Sequence, residues 1–292
     1  MQSPDSGDSL ESGEARPRAL ALRRFSRNVP AVIGASLLLV LVLVALFADF
    51  LSPLDPMAIS RERLEAPGNG HFMGTDELGR DVLSRVIHGT RVTLLVGVSA
   101  AALGLVIGTT VGAIAGYFGG VLDTIIMRIS EMFQIMPNFF VAVLIVALFG
   151  SGIGRVIFVI AFLGWPIIAR LARAEVLRLK EQQFVEAARA IGLGRFSIIS
   201  KELVPNAIAP ILVQGSLNVA AAILIEAGLG FLGLSDPDAI TWGSMLQNAK
   251  KYVATAWWTS ISPGVAISLA VLSFNAVGDG LNDMLNPQLR GK

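Results

Sequence analysis

The sequence contains no cysteine, only two histidines and two tyrosines, and charged residues make up just 15% of it. Without cysteine there can be no disulfide, no thiol catalysis and no thiolate-held metal. His71 and His88 have no clustered carboxylates around them in sequence to complete a metal site, so they read as surface histidines and no metal is expected. No G-x-x-x-x-G-K-[ST] run occurs, so the chain has no phosphate cradle of its own. No nucleophile–base set is recognisable either. The chain is therefore expected to be non-catalytic and to carry no cofactor. A charged fraction of 15% also falls well short of the roughly one quarter usual in soluble domains.

What the sequence has instead is apolar residue, 53% of the total, gathered into long blocks. Crossing the hydrocarbon as a helix takes about 20 mostly apolar residues. Six segments meet that requirement: Ala31–Leu51, Val92–Tyr117, Leu122–Phe149, Ile153–Leu171, Ala207–Leu232 and Thr259–Val277. The expected class is an all-α polytopic membrane protein with six transmembrane helices. Residues 1–29 read as a partly disordered cytoplasmic tail, residues 30–91 as a first membrane helix with an outer loop, and residues 92–292 as a five-helix core. The first helix has a basic flank, but it is too long for a signal peptide and lacks a convincing cleavage pattern, so it reads as a retained anchor.

Charge placement orients the chain. Arg16, Arg18, Arg23, Arg24 and Arg27 precede the first span, seven Lys or Arg lie between Arg170 and Lys201, and Arg290 and Lys292 close the sequence. With six spans all three regions fall on one side, which the positive-inside rule makes cytoplasmic. The loop Pro53–Arg91 also holds five Arg, against six Asp or Glu, and weakens the asymmetry. Within it, Asp76 with Arg80 and Asp81 with Arg85 have the spacing of helical ion pairs.

Several membrane-depth features stand out. Gly104, Gly108, Gly112, Gly116 and Gly120 recur every fourth residue, giving a helix face that another helix can approach closely. That face suits either tight packing or a sliding surface between subunits. Arg128 has Asp123 and Glu131 within helical reach, or an interfacial position. Met136-Pro137-Asn138 and Gly164-Trp165-Pro166 are expected to interrupt their spans and read as candidates for a pathway. Gln214 and Asn218 share a face of the fifth span, with Glu226 farther toward its outer end. They read as a stripe lining a path or as interhelical hydrogen bonding. Trp242, Trp257 and Trp258 fit an interfacial belt.

The polar island Glu186-Ala187-Ala188-Arg189-Ala190-Ile191-Gly192, followed by Leu203-Val204-Pro205-Asn206, must lie outside the bilayer. It reads as a helix, a glycine break, a second helix and a proline before the chain returns to the membrane. Phe184, Ala188 and Ile191 fall on one face and Glu186 roughly opposite. This layout resembles the EAA loop of permease subunits in ATP-binding cassette (ABC) importers.

Further motifs carry the resemblance across roughly residues 20 to 290. Gly74-Thr75-Asp76 with Gly79-Arg80-Asp81 and Ser84-Arg85 is similar to the signature of the dipeptide/oligopeptide/nickel permease family, in its second, C-type subunit. So are Gly228-Leu229-Gly230-Phe231-Leu232-Gly233-Leu234, Gly278-Asp279-Gly280-Leu281 and Asn286-Pro287-Gln288-Leu289-Arg290. Met136 stands before Pro137 where many relatives carry an aromatic.

The resemblance implies a type I ABC importer permease fold in a bacterial inner membrane, with both termini cytoplasmic. It also implies a homologous B-type permease subunit, two ATPase subunits that bind ATP and Mg, and an extracytoplasmic substrate-binding protein, all in contact with membrane lipid and none with nucleic acid. By position, the loop at about 174–206 is the EAA loop. Phe184, Glu186, Ala187, Ala188, Arg189, Gly192 and Pro205 are then the ATPase-coupling residues. Met136, Pro137, Gln214 and Asn218 are the path candidates. The cargo would be a di- or oligopeptide or a related small solute. The competing expectation is a channel or secondary transporter that works without an ATPase.

Overall fold

The computed structural model describes residues 28–68 and 70–285. The five basic residues up to Arg27, together with Arg290, Lys292 and the Asn286–Arg290 motif, lie outside them. The regular secondary structure among the described residues is helical, apart from the isolated bridges Gly68–His71 and Thr75–Asp81. Five helices are long and apolar enough to cross a membrane, and a sixth crossing results if one bent pair counts as a single span.

Helix α1 (Val29–Leu46) starts at Asn28, whose side chain accepts from the Ala31 amide, and Pro30 suits the first turn, where no amide partner is needed. Asn28 also donates to Asp283 at 2.8 Å, fastening the start of α1 to the end of the last helix. Gly34 lets the two helices meet, since a β-carbon there would stand 2.6 Å from that of Ala276. Only 11% of the most apolar α1 window is buried within the chain, which leaves its leucines and valines to lipid or a neighbouring chain. A short helix α2 (Ala48–Leu51) ends this unit.

The outer loop then folds onto itself and delivers α3 (Val82–Phe118). At 37 residues α3 is about 55 Å long, well beyond a hydrocarbon core of about 30 Å, so it projects from the membrane. Asp81 caps it, accepting from the Ser84 amide and hydroxyl at 2.7 Å. The expected pair Asp76–Arg80 forms at 2.7 Å, but Asp81 does not pair with Arg85. Capping α3 and binding His71 occupy the Asp81 carboxylate, and Arg85 turns to Asp76 at 3.5 Å. His71 is correspondingly buried rather than a surface residue.

Helices α4 (Gly120–Ile135) and α5 (Asn138–Phe149) form the bent pair, with 88° between them at Met136-Pro137. The expected straight third span is thus a broken one, because Pro137 has no amide to donate and disfavours helical angles at Met136. Arg128 pairs with Glu131 at 2.9 Å, while Asp123 binds Arg173 of the helix after this pair, α6 (Ile153–Leu179), through two short bonds of 2.5 and 2.6 Å. Helix α6 (Ile153–Leu179) runs through Pro166 without the expected interruption. Its neighbours Trp165 and Ile168 are clamped against Gly108 of α3, which holds the turn in place.

After α6 come α7 (Gln183–Ala190), the short α8 (Arg195–Ser197), a π-helical stretch Ile198–Leu203, and the long α9 (Val204–Phe231). A short helix, α10 (Trp242–Ala249), and a last membrane-length helix, α11 (Trp258–Leu285), follow. Two of the three tryptophans are not belt residues. Trp242 and Trp258 are buried, their indole N–H groups donating to the carbonyls of Val86 and Thr75, and only Trp257 is exposed.

The glycine ladder packs α3 on α6 inside the chain. β-carbons at Gly108 and Gly116 would stand 2.7 Å and 2.9 Å from the Trp165 and Arg173 carbonyl oxygens, and one at Gly112 would collide with the Ala169 carbonyl. Gly104 faces Ala161 at an ordinary 3.4 Å. Gly120 departs from the ladder, because α3 has ended and Gly120 starts α4 with φ +59° and open space around it. A surface sliding between subunits is therefore not what these four glycines form.

Candidate functional site

Helix α7 has eight residues, too few to be stable alone in water. Tertiary contacts hold it. Val185 and Ala188 are buried in one apolar cluster with Val176 and Leu179 of α6, Ile198, Ile199 and Leu203 of the π-helical stretch, and Ala207 and Ile211 of α9. The buried stripe is thus Val185–Ala188, not Phe184–Ala188–Ile191, since Phe184 is 38% and Ile191 78% exposed. The consequence is a helix whose other side displays Phe184, Glu186, Ala187 and Arg189.

Gly192 ends α7 with φ +83°, and the amides of Gly192 and Leu193 return to the carbonyls of Arg189 and Ala188. This is a left-handed position that residues with a β-carbon rarely adopt. Pro205 sits at the start of α9, directly after the π-helical stretch. The expected second loop helix is mostly the π-helical stretch, which runs on into α9.

The loop also grips the end of α3. The Arg189 guanidinium lies 5.9 Å from the centre of the Tyr117 ring, Phe118 meets Phe196 at 6.1 Å, and Lys180 Nζ donates to the Gly116 carbonyl at 3.2 Å. Displacing α7 therefore pulls on α3 as well as on α6 and α9, and the glycine contacts make α3 and α6 a single body.

In the membrane core, Gln214 donates to Asn218 at 3.1 Å, as their spacing on one face suggests. Asn218 and Asn138 line a cavity of about 70 Å3 among α3, α5, α6 and α9. Asn138 Oδ1 is buried in it without a hydrogen-bond partner among the described residues. Met136 and Pro137 are exposed on the chain surface at the bend. Sequence reasoning named Asn138 only as part of the break and kept Met136 and Pro137 as path candidates; the signal available was a polar residue directly after the proline of a broken span. Among the described residues no group of three or more His, Cys, Asp or Glu is placed to hold a metal ion.

The molecule is thus a bundle of membrane-length helices that carries one short helix on a separate polar loop, and its relatives name the family. Residues 108–291 match the model of the binding-protein-dependent transport system inner membrane component, and residues 16–67 that of the N-terminal TM domain of oligopeptide transport permease C. The chain belongs to this permease family. It is 38% identical over 272 residues to the dipeptide transport system permease protein DppC of Alkalihalophilus pseudofirmus, covering 92% of this chain and 90% of that protein. It is 38% identical over 271 residues to the glutathione transport system permease protein GsiD of Pectobacterium atrosepticum, with 92% and 90% covered. With DppC of Bacillus subtilis the identity is 40% over 273 residues, covering 92% and 85%.

Among solved structures, a chain of the inward-facing MetNI methionine ABC transporter superposes with a TM-score of 0.55 at 21% identity, over 70% of this permease and 98% of that chain. That likeness fixes the fold as the ABC importer permease fold. The protein is thus a multi-pass permease component of an ABC importer, the transport family of its matched domain.

Proposed function

We propose that this permease is the C-type subunit of a peptide importer. In that reading it pairs with a homologous B-type permease and two ATPase subunits, and takes cargo from an extracytoplasmic binding protein. The relatives named for dipeptides and glutathione support a cargo of short peptides, glutathione being itself a tripeptide. The ATPases bind ATP and Mg, and this chain supplies the route. The carrying observation is α7: an eight-residue helix whose buried side is Val185 and Ala188, with Phe184, Glu186, Ala187 and Arg189 exposed on its other side. A short rigid helix fixed to a bundle can pass ATPase closure to the membrane as a rigid-body movement, giving alternating access.

In this reading Glu186 and Phe184 meet the ATPase. Ala188 and Gly192 set the helix in place, and Arg189 is shared between the ATPase and the Tyr117 ring. Asn218 and Gln214 line the path with Met136 and Pro137 at the bend. Both termini and α7 face the cytoplasm of a bacterial cell, and the loop before α3 faces outward.

Co-purification from detergent tests the assignment. The wild-type chain, expressed with its neighbouring genes, should recover an ATPase. Glu186→Lys should lose it while staying in the membrane. Recovery of the ATPase with Glu186→Lys at the wild-type level would remove α7 as the docking element.

A further inference from the structure

Asn138 is the first residue of α5, and its side chain does no local work there. Asparagine is favoured one position earlier, where it caps a helix, but that position is held by Pro137 and no side chain caps α5. Asn138 Oδ1 is buried without a hydrogen-bond partner among the described residues. An unpaired buried acceptor costs stability, and an apolar residue would pack α5 at less expense.

Asn218 of α9 lines the same cavity. Its Oδ1 accepts from Gln214 Nε2 at 3.1 Å, which leaves its Nδ2 to donate, without a partner among the described residues. One unused acceptor and one unused donor therefore share one cavity.

The rest of the lining is apolar. Alanine, glycine, isoleucine and leucine from α3, α6 and α9 complete it, and no charged residue takes part. Gly164 helps to keep it open, since a β-carbon there would meet nothing within 4 Å. Ile167, which also lines it, is 43% exposed, so the cavity is reached from the chain surface. At about 70 Å3 it has room for several water-sized groups, enough for one peptide unit but not for a whole peptide.

A peptide unit carries one N–H and one C=O, the complement of Asn138 Oδ1 and Asn218 Nδ2. It is also the group that all short peptides share, and an uncharged apolar surround gives no preference among their side chains. We propose that Asn138 and Asn218 bind a peptide bond of the cargo, Asn138 accepting from its N–H and Asn218 donating to its C=O. The permease then reads the backbone of its cargo and is indifferent to the side chains. The assignment rests on the short-peptide cargo proposed above and adds Asn138 to the path.

Uptake by the assembled transporter in proteoliposomes tests it, with one binding protein used throughout. Glycylglycine is compared with glycylsarcosine, whose N-methyl group replaces the peptide N–H. The binding protein's own preference cancels when the ratio of the two kcat/KM values is compared between permease variants. Asn138→Leu keeps the bulk but loses the acceptor, and should shrink the wild-type ratio about three- to tenfold, the factor that one hydrogen bond carries. Asn218→Leu should slow both peptides alike and leave the ratio in place. Gly164→Leu, which fills the cavity and leaves both amides in the chain, should also slow both. If Asn138→Leu does not assemble, Asn138→Ala carries the ratio test.

A wild-type ratio in the Asn138 variant overturns the assignment and leaves the cavity to water. So does uptake at the wild-type rate by Gly164→Leu. Either result leaves the cargo reading standing. A wild-type transporter that imports neither peptide strikes the cargo reading, and the assignment falls with it.

Discussion

His71 shows how much one side chain can organise. Its Nδ1 lies 2.8 Å from Asp81 and its Nε2 3.2 Å from Glu62, so both ring nitrogens face carboxylates and the doubly protonated ring fits best. The hydrogen bond to Asp81 raises its pKa above the ordinary histidine value; burial opposes this, and Glu62 adds to the rise. A group whose folded pKa is raised stabilises fully below its unfolded value, and that stabilisation is lost as pH climbs through the folded value. The clasp between the outer loop and the α3 cap should therefore hold at mildly acid pH and weaken above the usual histidine range, near 6.5. Amide hydrogen exchange at Ser84, followed against pH, should accelerate over that window in the wild type and show no such step in His71→Gln. The pairing was hidden in the sequence, because a histidine ten residues from an aspartate has no fixed relation to it until the turns at Gly74 and Gly79 close the loop. Asp76–Arg80 was legible for the opposite reason, being local.

At the level of elements, α3 and α6 are joined by backbone contact. Ala in place of Gly favours an exposed helix by about 1 kcal/mol, so each ladder position sets that gain against its clearance. At Gly104 the added carbon meets Ala161 at an ordinary 3.4 Å, and Gly104→Ala should be neutral or slightly stabilising. At Gly112 it collides with the Ala169 carbonyl, a rigid atom, and Gly112→Ala should destabilise by about 2 kcal/mol or more, overpacking exceeding the propensity gain. Thermal unfolding of the two variants in detergent checks the ranking; a lower midpoint for Gly104→Ala than for Gly112→Ala would contradict it. The four-residue period announced a close-packed face in the sequence, but not its partner. Helix α7 was legible as a helix with a glycine stop, while its buried stripe was not. Which two of its residues turn inward depends on where α6 and α9 stand.

For the whole molecule, the bundle and the loops on either side predict a labelling pattern. In right-side-out membranes an impermeant thiol reagent should modify Phe72→Cys, at the tip of the outer loop, where the native residue is 78% exposed. It should reach Ile191→Cys, also 78% exposed in the native chain, only after the membrane is opened. Labelling of Ile191→Cys from outside would reverse the orientation. Counting the bent pair as one crossing puts α7 on the opposite side of the membrane from α10, so in the proposed reading the ATPases act at the far end of the α3–α6–α9 bundle from α10.

Several properties follow from the sequence alone because they depend on composition or on short-range geometry. These are the membrane character, the apolar blocks, the glycine stop after α7 and the break at Pro137. Hydropathy and backbone angles do not need a fold to act. The tertiary structure alone decided that Asp81 serves α3 and His71 rather than Arg85, that α6 continues through Pro166, and that the glycine ladder meets α6. Each of these joins residues far apart in the chain, and their contact exists only once the helices have packed and fixed which groups share the limited space and the few hydrogen-bond partners.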